Sequence, residues 1–218
     1  MAVAELTLSS KNYSSWSLRG WLLCRLAGLA VLERPVAIDD KDNRAELLLL
    51  SPSVLVPRLT HEGASVWDTL AIAEYLHELY PNAGMYPGDR IARAHCRSVS
   101  GEIHSGFTNL RSALPMNLKA RHSRFPIFPG ARPDIERIET IWNECLSSYG
   151  GPWLFGAKPT VADAMFAPVA QRFLSYAVPV SVVAAAYCQT INNWPPMREW
   201  IEAARAEPDE IIELETEF

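Results

Sequence analysis

The chain has no CxxC pair: its four cysteines, Cys24, Cys96, Cys145 and Cys188, stand far apart among 218 residues. Free buried thiols in a reducing cytoplasm are the expected state. The five histidines show no metal-ligand spacing. Glu102 and His104, two residues apart, would point to different sides of a helix, so no metal is assigned. Positive charge is scarce as well. Twenty Lys and Arg against 25 Asp and Glu leave a net charge of −5, with no surplus of cations for a nucleic-acid backbone. The longest nearly apolar stretch, "AVPVSVVAAAYC", contains Pro179 and is too short to span a bilayer. No basic start followed by an apolar core marks an export signal. The expectation is a cytoplasmic protein with no membrane or nucleic-acid partner.

What is present suits a globular protein, with 49% hydrophobic and 21% charged residues. Ala4, Leu6 and Leu8 interleave with Glu5 and Thr7, which predicts a half-buried strand. A helix follows from Ser15 to about Gly28. "ERPVAIDD" predicts a second strand, and "NRAELLLLS" a short helix ended by Pro52. "VPRLTHEGASVWD" predicts a hairpin around Glu62-Gly63. After Asp68 and Thr69, the residues Ile72, Ala73, Leu76, Leu79 and Tyr80 fall on one helical face. The order β-α-β-α-β-β-α makes a compact α/β unit over residues 1–83.

Residues 84–89 read as a linker, and residues 90–218 carry helical signals alone. Ile103, Phe107, Leu110 and Leu114 place one stripe along a long helix that Pro115 ends. Ile135, Ile138, Trp142, Cys145 and Tyr149 form a second stripe. "RHSRFPIFPGARP" between them is a proline-rich loop. "KPTVADAMFAPVAQRF" opens another helix, with Thr160 and Asp163 as a short-armed capping box. "PVSVVAAAYC" and "PPMREWIEAAR" supply two more.

Chemistry centres on "KNYSSWSLRGWLLC", which begins a helix on paired hydroxyls. Ser14 or Ser15 alone is enough for a cap. A hydroxyl beside free helical N–H groups also holds an anion, and the stretch by itself supports both readings. In β-α-β folds of the thioredoxin type this loop carries a CxxC pair, whose places are held here by Ser14 and Ser17. Dithiol chemistry is excluded there; if such a fold handles sulfur, the thiol has to come from a ligand.

Four segments, in order, resemble the cytosolic glutathione transferases over essentially the whole chain. "SSWSLR" looks like the "SSCSWR" of the zeta class, the maleylacetoacetate isomerase relatives, with Trp16 in place of Cys. "VPRL" matches the family's Val-Pro element, and "VWDTLAIAEYL" is similar to its Glu-Ser-x-Ala-Ile segment. "PTVADAMFAPV" is similar to its helix-capping motif. The resemblance implies a thioredoxin-like N-terminal domain followed by an all-α C-terminal domain. It also implies a homodimer, a role in detoxification, and glutathione as co-substrate.

The resemblance assigns residues too. Ser14 would donate its hydroxyl hydrogen to the glutathione sulfur, helped by Ser15 and the helix N–H groups, because the thiolate is the nucleophile. Tyr13 is a lesser candidate. Val56 and Pro57 match the cis-proline site that pairs with the cysteinyl unit. Asp68 and Thr69 match the γ-glutamyl site, the acid for the ammonium and the hydroxyl for the carboxylate. Leu55 stands where many relatives carry Lys or Gln near the glycyl carboxylate. Lys41 either supplies that charge or is a surface lysine. Trp16, Phe107, Leu110 and Met116 either line an electrophile pocket or pack in the core. Asn117, Lys119 and Arg121 are a candidate polar edge for an anionic substrate. The implied activity is transfer of glutathione to a small electrophile. A zeta-like cis–trans isomerase and a non-catalytic binding or regulatory protein are the alternatives.

Overall fold

The computed structural model describes residues 3–36, 56–123 and 125–208. The helix expected at "NRAELLLLS", Leu55 and Lys41 lie outside them. The alternating start forms strand β1 (Glu5–Leu8), with Leu6 and Leu8 closed into the core. Strand β2 (Leu32–Pro35) runs parallel to β1, and β3 (Arg58–His61) runs antiparallel on its other side, with Leu6 opposite Leu59. Strand β4 (Ala64–Val66) completes the order β2-β1-β3-β4. The β3–β4 turn is the expected Glu62-Gly63, and both residues have positive φ (49° and 85°), as a tight two-residue hairpin requires.

Helix α1 (Ser15–Ala27) ends at Gly28, whose φ of 76° lets the Leu29 N–H reach back to the Cys24 carbonyl at 2.9 Å. Helix α2 (Thr69–Leu79) buries Ile72, Ala73 and Leu76, whereas Leu79 remains 41% exposed. The two helices pack on each other.

The long helix expected through Leu114 is two helices. Helix α3 (Arg90–Ser105) stops at Gly106, and Phe107 turns into the left-handed region (φ 61°) before the short α4 (Thr108–Ala113). Arg111 explains the break. Its guanidinium donates to the Ile103, His104 and Gly106 carbonyls and so ties off the end of α3. The stripe residues Ile103, Phe107, Leu110 and Leu114 are all buried even so. Apolar spacing reported burial correctly and continuity wrongly.

Helix α5 (Arg132–Tyr149) buries Ile135, Ile138, Trp142 and Cys145 of its stripe, whereas Tyr149 at its end is only partly buried. Helix α6 (Val161–Ser175) is buried along almost its whole length and packs on α1, α3 and α7 (Val182–Asn193). Asp163 starts it, accepting hydrogen bonds from the Thr160 N–H (2.7 Å), the Thr160 hydroxyl (3.0 Å), the Leu154 N–H (3.0 Å) and the Tyr187 hydroxyl (3.0 Å). It therefore joins three segments, more than a local cap does. Helix α8 (Pro195–Ala206) closes the described chain.

Candidate active site

Ser14 is the N-cap of α1. Its Oγ accepts the Ser17 N–H at 3.2 Å and lies 2.9 Å from the Ser17 Oγ. The Ser17 hydroxyl is fully buried and accepts the Ser9 N–H at 3.0 Å. A hydroxyl both donates and accepts. Here Ser14 donates to Ser17, so its proton serves a third group once the hydroxyl turns away from Ser17. Ser15 follows inside the first turn and is 5% exposed. The paired hydroxyls thus divide into a cap, which Ser14 makes, and a buried neighbour.

The Val56–Pro57 bond is cis, as expected, and the Trp67–Asp68 bond is cis as well. Pro57 lies directly on α1. A Cβ at Gly20 would sit 2.6 Å from both Cβ and Cγ of Pro57, so the glycine is what lets the two segments touch. Gly20→Ala should therefore cost about 1–3 kcal/mol, the usual range for overpacking. Urea denaturation checks this, and an unchanged midpoint would contradict the close contact.

Asp68 caps α2, accepting the Leu70 N–H at 2.9 Å and, less closely, the Ala71 N–H at 3.4 Å. Its other carboxylate oxygen lies 3.0 Å from His104 Nε2, and its side chain remains 53% exposed. His104 Nδ1 is 3.3 Å from the hydroxyl of the fully buried Thr69. Burial pushes the His104 pKa below its ordinary value, and the Arg19 and Arg111 charges add to this against the opposing pull of Asp68. A neutral ring then donates from Nε2 to Asp68 and accepts at Nδ1 from Thr69. Nothing in the sequence marks His104 as a site residue. Glu102 and His104 do face different ways: Glu102 pairs with Arg137 at 2.7 Å.

Trp16 joins the two helix starts. Its ring meets His104 edge-on at 5.1 Å and has two guanidiniums over it, Arg19 at 4.6 Å and Arg111 at 4.8 Å. Arg19 is fully buried and donates from Nε to the Met165 carbonyl at 2.8 Å. Both its terminal nitrogens, and Nη1 of Arg111, are buried with no hydrogen-bond partner among the described residues. Burial first, then the neighbouring Arg111 and Arg172, push Arg19 well below its ordinary pKa. Arg172, held by the Leu114 carbonyl at 2.8 Å, is pushed down to about 9, by burial and then by Arg111. Buried donors without acceptors are costly, and the Trp16 ring face offsets part of that cost for Arg19 and Arg111.

The other candidates are placed differently. Leu110 and Met116 are core residues, 1% and 2% exposed, and Phe107 is buried at the α3–α4 break. Asn117 accepts from Asn12 Nδ2 at 3.0 Å, and Arg121 braces its own turn through the Leu118 and Ala120 carbonyls. Tyr13 is buried. Cys24, Cys96, Cys145 and Cys188 are free and buried, and burial pushes each thiol up to about 12. None is a thiolate at neutral pH. Among the described residues, no group of three or more His, Cys, Asp or Glu is placed to hold a metal, and no helix is long and apolar enough to cross a membrane.

Residues 13–79 match the family model for the glutathione S-transferase N-terminal domain, and residues 100–203 match the one for its C-terminal domain. A maleylacetoacetate isomerase of Pseudomonas aeruginosa is 26% identical over 204 residues, covering 91% of this chain and 89% of the relative. A glutathione transferase homolog of Burkholderia, solved with bound glutathione, shares the fold with a TM-score of 0.70 and 23% identity, over 94% of this chain and 100% of that one. A maleylacetoacetate isomerase of Anaeromyxobacter dehalogenans, solved with dicarboxyethyl glutathione and citrate in its active site, has a TM-score of 0.65 and 21% identity, over 96% of this chain and 95% of that one. With the small mixed sheet, the helices after it and both family models in their proper order, the chain belongs to the glutathione S-transferase family.

Proposed function

We propose that this chain binds glutathione between the starts of α1 and α2, favours its thiolate, and directs it at a small carboxylate-bearing electrophile. The observation that carries the reading is His104, which touches Trp16 in the first turn of α1 and both Asp68 and Thr69 at the start of α2. It brings two capped helix N-termini, each a favourable place for negative charge, to one site.

The residues fit the ligand. Ser14, with Ser15 beside it, gives a hydroxyl for the sulfur. Val56 offers backbone groups to the cysteinyl unit. Asp68 is open enough to meet an ammonium, and Thr69 suits the α-carboxylate through its backbone N–H, or through its hydroxyl once that turns from His104. Lys41 stays a candidate for the glycyl end. Bound glutathione supplies the nucleophile. The protein supplies the field that lowers its pKa, each unit being worth about 1.4 kcal/mol.

The positive charge of Arg19 and Arg111 behind Trp16 favours an anionic electrophile. The relatives' named substrate, maleylacetoacetate, is a carboxylate, so glutathione-dependent cis–trans isomerisation is the finer reading, with transfer to other electrophiles beside it. A cytoplasmic homodimer with the linker at residues 84–89, acting in detoxification, goes with this proposal. Incubation with glutathione and maleylacetoacetate tests it, with a neutral aryl halide for comparison. Isomerisation that needs glutathione and exceeds transfer to the halide is expected. Binding of glutathione without turnover of either would make the chain a binding protein instead.

His104 gives the site a pH dependence. Its neutral form holds Thr69, and its protonated form sets a cation beside the ammonium subsite. Since its pKa is depressed, affinity for glutathione should hold from neutral pH down through the ordinary imidazole range, about 6.5, and fall below it. In His104→Gln that acid-side fall should disappear. Calorimetric titrations across pH decide this, and identical profiles for the two proteins would contradict it.

A further inference from the structure

Glu207 ends α8 and connects the far end of the described chain to the loop that precedes Ser14. Its carboxylate accepts three donors from that loop: the Lys11 N–H at 2.7 Å, the Ser10 hydroxyl at 2.9 Å and the Asn12 N–H at 3.1 Å. Consecutive backbone N–H groups in a turn form a concave site for an anion, and here the chain's own carboxylate fills it. The Glu207 carbonyl accepts from Lys119 Nζ at 2.6 Å, so this residue is fixed from two sides.

The contact leads to the proposed thiol site in two short steps. The Ser10 hydroxyl oxygen, held by Glu207, accepts the Asn12 N–H at 3.1 Å and the Tyr13 N–H at 3.3 Å. The Ser10 carbonyl accepts the Ser14 N–H at 3.0 Å. Where Ser10 sits therefore sets where the α1 cap sits. The loop has other anchors: Asn12 Oδ1 accepts the Leu118 and Lys119 N–H groups at 2.8 and 3.0 Å, and the Trp200 ring N–H donates to the Lys11 carbonyl at 2.9 Å. Loss of Glu207 alone leaves these in place, so it should loosen the loop without unfolding it.

We propose that Glu207 is a positioning residue for the thiol site, holding the β1–α1 loop so that the Ser14 hydroxyl meets the ligand's sulfur. This rests on the reading that Ser14 favours the glutathione thiolate. The sign of one effect separates positioning from plain charge. A carboxylate near a thiolate repels it, so removing the charge by itself lowers the thiol pKa. Losing the position of Ser14 raises it.

The test compares Glu207→Gln, Ser10→Ala and Ser14→Ala with wild type, following thiolate absorbance of bound glutathione against pH, with melting temperature, KM and kcat alongside. Ser10→Ala keeps the Glu207 charge and serves if Glu207→Gln fails to fold. Both variants should raise the bound thiol pKa by about one unit and cut the thiolate fraction below it about tenfold. Glutathione KM should stay within about twofold, a binding change well under the 1.4 kcal/mol of a tenfold effect. If Ser14→Ala raises the pKa while the other two leave it unchanged or lower it, Glu207 is a structural tie and the proposal is overturned. If Ser14→Ala itself changes nothing, the hydroxyl reading fails and takes this proposal with it.

Discussion

Asp68→Ala should weaken glutathione binding tenfold or more. The ligand presents an ammonium and a carboxylate on one carbon, and Asp68 is the acid available to the ammonium. A hydrogen bond to a charged group is worth roughly 1.5–3 kcal/mol, and about 1.4 kcal/mol is a factor of ten. The substitution also removes the α2 cap, which costs about 0.5–2 kcal/mol of stability, and takes the acceptor from His104 Nε2. Asp68→Asn separates these effects, since Asn caps about as well as Asp but carries no charge. Its melting temperature should stay near wild type while affinity falls nearly as far as in Asp68→Ala. Desamino-glutathione, which lacks the ammonium, should bind wild type weakly and lose little more in either variant. Equal weakening toward both ligands would make Asp68 a support for the helix rather than a reader of the ligand.

The second large effect is expected at Ser14. Ser14→Ala removes a hydroxyl that caps α1 and whose proton, now donated to Ser17, can turn to the sulfur. Turnover at neutral pH should fall about tenfold for each unit by which the bound thiol pKa rises, with little change in glutathione affinity. Ser15→Ala should do less, because Ser15 is closed into the first turn. Ser14→Thr keeps both the cap and the donor and should restore most of the activity. If Ser14→Thr is as impaired as Ser14→Ala although both melt like wild type, the hydroxyl is not what activates the thiol.

How much of this was legible in the sequence depends on how local each feature is. The caps at Ser14, Asp68 and Thr160 are written within three or four residues, because a helix end is satisfied by its own neighbours. The hairpin at Glu62-Gly63 and the stop at Gly28 are local in the same way. The α3–α4 break was not legible. Ile103, Phe107, Leu110 and Leu114 keep helical spacing through it, and the cause is Arg111 folding back onto carbonyls upstream. His104 reaches Thr69 across 35 residues, and Glu207 reaches Lys11 across 196. Such pairs are set by the topology of the whole chain, and no window of sequence contains them. The Arg19 and Arg111 donors were missed for a related reason. Burial without a partner is a property of packing, and an arginine in a helix reads as surface charge until its surroundings are known.

The most direct measurement is a crystal structure of this protein with glutathione bound. The sulfur is expected within hydrogen-bonding distance of the Ser14 or Ser15 hydroxyl, the cysteinyl backbone paired with Val56, and the ammonium on Asp68 with His104 still touching Thr69. Glutathione bound with its sulfur away from the start of α1, or its γ-glutamyl end away from Asp68 and Thr69, would contradict this reading.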